Sequence, residues 1–155
     1  MTTLTPQQSA KQTIADNVET WTNQLVMWLQ EDVKQNELKS VKRHLAESFE
    51  GSWEHEYYSK KLNDIETGVF LPYALFSVVK GRKYHKIVMK TACNADRKND
   101  QTSVHAFVDK QTGEVYKAAS WKCPAKHVRY DLRLIRDRQV LEVKCDWAGG
   151  YLYMR

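Results

Sequence analysis

Ten side chains in the middle of this sequence carry the chemistry of an anion-binding surface. They are Lys80, Arg82, Lys83, Lys86, Lys117, Lys122, Lys126 and Arg129, with Trp121 and Tyr130 among them. Lysine and arginine neutralise phosphates and release condensed counterions. An exposed indole or phenol offers a face on which any base can stack. Lys90 belongs to the same run. Charge is segregated along the chain. Residues 1–79 hold 7 Lys/Arg against 11 Asp/Glu, residues 80–130 hold 12 against 4, and residues 131–155 hold 5 against 4. The formal net charge of +5 is therefore the sum of −4, +8 and +1, with the positive charge concentrated in the middle third. Such asymmetry points to an anionic partner, or to an acidic surface elsewhere in the molecule.

Other chemistries are thinly represented. Cys123 and His127 stand four residues apart, but Pro124 disfavours the helix that would align them, and no second pair has ligand spacing. No metal and no other cofactor is expected. The cysteines, Cys93, Cys123 and Cys145, are odd in number and irregular in spacing. They read as reduced thiols of a cytoplasmic protein rather than as a disulfide framework. His85 and His105 fall on strands that could be neighbours near Lys86, the residue types of a phosphodiester-cleaving pair. A catalytic histidine needs a positioned partner, and spacing supplies none. Glu54-His55-Glu56 reads as a solvated helical turn. Helix-turn-helix, zinc-finger and RNP-type motifs are absent.

The elements that must position the cations follow from periodicity. Thr5, Pro6 and Gln8 form an N-terminal capping box. Ile14, Val18, Trp21, Leu25 and Trp28 or Leu29 then recur at spacings of three and four, which predicts an amphipathic helix over residues 6–30. Its stripe suits a core face, or the seam of a homo-oligomer. Residues 31–37 are polar and read as a break, although no Gly or Pro enforces one. Leu38, Val41, Leu45 and Phe49 mark a second helix, closed by Gly51, and Ser52 caps a third that ends at Gly68. Beyond Pro72 the period becomes that of strands: 73–79, then 84–90, then 104–108 and 114–118 around a turn at Gly113. On the second strand His85, Ile87 and Met89 share one face, and Tyr84, Lys86, Val88 and Lys90 the other. On the third, Val104, Ala106 and Val108 oppose His105, Phe107 and Asp109. Residues 94–103 read as an exposed loop. Residues 133–145 fit a helix slightly better than a strand, and Tyr151-Leu152-Tyr153 reads as a docked terminus.

Helices followed by strands predict an α+β fold: an N-terminal helical layer on an antiparallel sheet of about four strands. The 155 residues read as a single domain, with an acidic helical half over about 1–70 and a basic β-rich half over about 71–155. No apolar run approaches the length of a membrane span, and the first residues lack the pattern of a signal peptide. Trp21, Trp28, Trp53, Trp121 and Trp147 are numerous enough to suggest a protein interface.

The run VHAFVDKQTGEVYKAASWKCPAKHVRYDLR, with DWAGGYLYMR at the end, resembles a pattern in small uncharacterised proteins of tailed bacteriophages, including those of cyanobacteria. The resemblance covers the C-terminal third well and residues 80–90 loosely. It implies a small protein working in an infected bacterial cell and carries no catalytic residue with it. The expectation is a binding protein whose basic β-face holds nucleic acid. A modulator of a host protein is the alternative, and a nuclease-like enzyme comes third.

Overall fold

Thr5 begins the longest element of the chain. In the computed structural model, which describes residues 3–69, 71–92 and 100–153, the Thr5 hydroxyl accepts the Gln8 N–H while the Gln8 side chain accepts the Thr5 N–H. Helix α1 runs from there without interruption, Pro6–Glu47. Its 42 residues span about 63 Å. The polar stretch 31–37 is therefore no break. With neither Gly nor Pro in it, nothing interrupts the backbone bonds, and its polar side chains have work to do. Gln30, just before it, donates to the Ala74 carbonyl and accepts the Phe76 N–H, both at 2.9 Å. Asp32 accepts the Trp147 N–H at 2.9 Å, and Glu37 accepts the Tyr73 N–H at 2.6 Å.

Ser52 caps helix α2 (Trp53–Thr67), and Gly68 closes it in the left-handed conformation. A five-residue connection turns α2 back along α1, with Val41 and Ile65 buried in the hairpin.

Strands β1 (Ala74–Lys80), β2 (Tyr84–Thr91), β3 (Gln101–Asp109), β4 (Glu114–Lys117) and β5 (Tyr130–Asp131) form one antiparallel sheet in sequential order. The fifth strand, beyond the four expected, is two residues long. Because β3 begins at Gln101, residues 101–103 are paired strand rather than loop; residues 94–99 of the expected loop, and Cys93, lie outside the described residues. Helix α3 (Ile135–Lys144) and a short 3-10 turn, Gly150–Leu152, complete the chain. The structure is thus α+β, as the order of periodicities requires.

α1 buries Val18, Leu25, Leu29 and Val33 against the sheet face that carries Phe76, Ile87, Ala106, Val108 and Val115. Trp21 and Trp28 flank this seam, half-buried. Gly113 closes the β3–β4 turn with φ 73°, and a Cβ there would lie 3.3 Å from the Val18 side chain, so any other residue would strain the turn and crowd α1.

One register change corrects the expected faces. Ile87 pairs Ala106, but Val88 pairs Val104, so His105 is an extra residue in β3. Such a bulge carries its side chain to the same side as its neighbour. His105 accordingly faces the helix layer, edge-on to Phe76, and shares a 2.8 Å hydrogen bond with the Tyr151 hydroxyl. Val104 moves to the opposite face with Val88. The C-terminus docks here: Asp146 accepts the Gly150 and Tyr151 N–H groups, and the Tyr130 hydroxyl donates to the Tyr151 carbonyl at 2.8 Å.

Two outcomes follow. Leu25→Ala should lower unfolding free energy by about 2–5 kcal/mol in urea titrations, whereas the exposed Met27→Ala should stay within about 0.5 kcal/mol of the parent. Burial also lowers the His105 pKa from 6.5 to about 4. Between those values the unfolded chain binds a proton that the folded chain refuses. Stability is full above pH 6.5 and falls toward pH 4, by about 3 kcal/mol from this group. His85 shifts in the same direction by burial. His105→Gln should therefore flatten, but not abolish, the difference between urea midpoints at about pH 7 and about pH 4.5.

Candidate nucleic-acid interface

The pairing of β2 with β3 decides which side chains meet on the sheet face away from α1. Tyr84 opposes Asp109 and Lys86 opposes Phe107, while Phe107 also opposes Tyr116 of β4. Phe107 is 0% exposed although it lies outside the helix-side core, because its own face covers it. The Tyr84 ring stands edge-on to Phe107 at 5.7 Å and to Tyr116 at 6.2 Å. The Lys86 ammonium lies 5.7 Å from the Phe107 centroid and 5.4 Å from that of Trp121. Lys83 sits over the Tyr84 ring at 5.3 Å. Lys83, Tyr84, Phe107, Lys86 and Trp121 thus form one continuous chain of contacts. Attraction to ring quadrupoles holds the two ammonium groups beside aromatic faces while leaving donors free.

Trp121 owes its place to the β4–β5 connection. The amides of Ala119 and Ser120 both donate to the Cys123 carbonyl, and the Ser120 hydroxyl accepts the N–H groups of Lys122 and Cys123. Ala118 and Pro124 bridge across its base. The indole is therefore presented at the tip of a tight turn, 50% exposed, with exposed Lys122 beside it. Further along, His127 holds φ 73°, a conformation costly for a residue with a Cβ. Exposed Lys126 directly precedes it.

At one end of the sheet the Lys110 N–H donates to the Lys83 carbonyl at 3.0 Å, which fastens the β1–β2 and β3–β4 turns side by side. Arg82, Lys83 and Lys110 consequently border one recess of about 350 Å³. Acidic groups nearby are already engaged. Asp109 accepts the Gln111 and Thr112 amides, and Glu114 accepts the Tyr116 hydroxyl at 2.6 Å. That hydrogen bond raises the Tyr116 pKa and keeps the phenol protonated.

Other expected site residues go elsewhere. Lys80 ends β1 on the helix side and pairs with Glu19, whose carboxyl it holds below its ordinary range. Lys117 opposes Ala106, also on the helix side, and its ammonium lies 4.1 Å from the Tyr153 centroid. Tyr130 is only 6% exposed and tied to Tyr151, so it is a core residue and no stacking platform. Arg129 is half-buried, its N–H donating to Val115. Lys90 shares the outer face with Lys86 but lies two pleat repeats, about 13 Å, beyond it. The helix-one stripe likewise faces inward. Val18 and Leu25 are 0% exposed against the chain's own sheet, which leaves exposed Ile14 and the half-buried Trp21 and Trp28 for the homo-oligomer seam considered above.

The histidines do not assemble a catalytic pair. His85 opposes Val108, about 10 Å along the strand from His105, and Lys86 points to the other face. Burial lowers both histidine pKa values. Burial likewise pushes the Cys145 thiol up to about 12. Among the described residues no three His, Cys, Asp or Glu side chains converge as metal ligands, and no helix is long and apolar enough to cross a membrane.

Sequence reasoning omitted Tyr84, Phe107, Tyr116 and Lys110 from the site. Strand alternation placed Tyr84 with Lys86 and could have added it; the contribution of Phe107 and Lys110 depends on pairing. No curated protein and no solved structure matches the chain. A family model does match, over residues 1–154, and its description is a family of unknown function, DUF7717. The basic and aromatic outer face described here, and the helical layer behind it, are therefore features of a chain that belongs to the DUF7717 family of unknown function.

Proposed function

We propose that this chain binds single-stranded nucleic acid across the outer face of its sheet, with bases stacked on Trp121 and Tyr84 and phosphates held by Lys83, Lys86 and Lys122. One observation carries the reading: the Lys86 ammonium spans the Phe107 and Trp121 rings, and half of the Trp121 surface remains open. A cation held beside an open indole matches the alternation of phosphate and base along a single strand. A duplex offers no free base face, so the arrangement favours single strands. The Arg82, Lys83 and Lys110 recess extends the track of positive charge past the sheet end. The resemblance to tailed-bacteriophage proteins supplies the setting, the cytoplasm of an infected bacterium.

Fluorescence anisotropy with labelled oligothymidine and a matched duplex, each at several salt concentrations, tests the reading. Affinity for the single strand should exceed that for the duplex and fall as salt rises. Trp121→Ala should weaken single-strand binding about 5- to 150-fold while leaving thermal stability unchanged. Lys86→Ala should weaken it less and reduce the magnitude of the salt slope by about one. Lys117→Ala, on the helix side, should change neither. Absent binding at low salt, or affinity indifferent to salt, would remove the proposal.

A further inference from the structure

Past Val33, helix α1 reaches the entry to β1 through the Glu37–Tyr73 hydrogen bond and otherwise packs against α2, where the buried residues are Val41 and Ile65. The tip of that hairpin holds three large aromatics that the fold leaves exposed. Phe49 is 85% exposed, Trp53 74%, and Tyr57 is also exposed. The backbone beneath them is well fixed. Ser52 caps α2, the Ser52 hydroxyl donates to the Phe49 carbonyl, and Ser48 shares a 2.9 Å hydrogen bond with His55. His44 stacks on Tyr58 with centroids 4.5 Å apart, and Tyr57 stands edge-on to Tyr58 at 5.1 Å. Between the helices lies a groove of about 600 Å³ lined by His44, Glu47, Trp53, Glu54, Tyr57 and Tyr58.

The chemistry of that groove selects its occupant. Residues 44–59 contain Glu47, Glu50, Glu54 and Glu56 and neither lysine nor arginine. The nearby Lys39 and Arg43 border a separate hollow, and the flanking Lys42, Lys60 and Lys61 do not line this groove. Aromatic faces beside carboxylates attract a cation through both ring quadrupole and charge. A wholly apolar partner would strip water from the glutamates without repayment. A nucleic acid would be repelled by them.

We propose that the α1–α2 tip docks a cationic, partly apolar segment of a second protein, seating a lysine or arginine side chain in the groove between Glu47, Trp53, Glu54 and Tyr57. This surface is separate from the sheet face and independent of the reading given to it. The test uses the full chain, ¹⁵N-labelled, titrated with a short amphipathic peptide of lysine and leucine and followed by NMR. The Trp53 indole and the amides of residues 47–57 should shift, while the Trp121 indole stays in place. A peptide with glutamate in place of lysine should move nothing. Glu47→Gln, Trp53→Ala and Glu54→Gln combined should weaken binding about tenfold or more with an unchanged melting temperature, since all three side chains are exposed. Trp121→Ala should bind the peptide as the parent does. Parental affinity in the triple variant, equal binding of the glutamate peptide, or shifts at the sheet instead of the tip would overturn the proposal. So would tip signals that move with protein concentration alone, because the occupant would then be a second copy of this chain.

Discussion

Everything in this molecule is arranged around the seam where α1 lies on one face of the sheet. Val18, Leu25, Leu29 and Val33 project from a single side of the helix into Ile87, Ala106, Val108 and Val115. Burial of this kind contributes about 1.5–3 kcal/mol per large aliphatic side chain, more than any ion pair on the surface. A single helical layer can cover only one face of a sheet. The opposite face must then be closed by its own side chains, and that is why Tyr84, Phe107, Tyr116 and the stem of Lys86 pack together there. A basic, aromatic outer surface is the consequence of putting the helices on the other side.

The polar groups of α1 bring the rest of the chain into register with that seam. Gln30 satisfies the backbone of the edge strand β1, which would otherwise present open donors and acceptors. Asp32 and Glu37 reach the C-terminal connection and the entry to β1. The extra residue in β3 does comparable work from the sheet side. It turns His105 inward, where Tyr151 meets it and Tyr130 anchors the terminal turn. Neutral, buried and hydrogen-bonded, this group joins sheet and terminus without introducing a charge.

Much of the candidate site was visible as residue type, and little of it as position. Period-two alternation put Lys86 and Tyr84 on one strand face, and the β2–β3 pairing bears that out. Trp121 and Lys122 were visible as an aromatic beside cations, and the turn from Ala119 to Cys123 presents both. Lys80 and Lys117 were equally cationic, yet one is claimed by Glu19 and the other lies over Tyr153. Nothing within a strand distinguishes a lysine that faces a helix layer from one that faces away. The bulge at His105 was also hidden, since no Gly or Pro marks it and only the β2 partner reveals the extra residue.

Taken alone, the sequence settled what depends on neighbours a few residues apart. These are the capping box at Thr5, the helical stripe through Leu25, the strand periods beyond Pro72 and the Gly113 turn. It therefore determined the α+β class and the surplus of cations in the sheet half. Tertiary structure alone decided that α1 runs unbroken to Glu47, that Tyr130 is core, and that Lys83, Lys86 and Trp121 share a surface. The reason is physical. Local rules act through backbone hydrogen bonds and capping within one turn, whereas burial and charge pairing depend on which strand or helix arrives opposite, and that is set only when the layers pack.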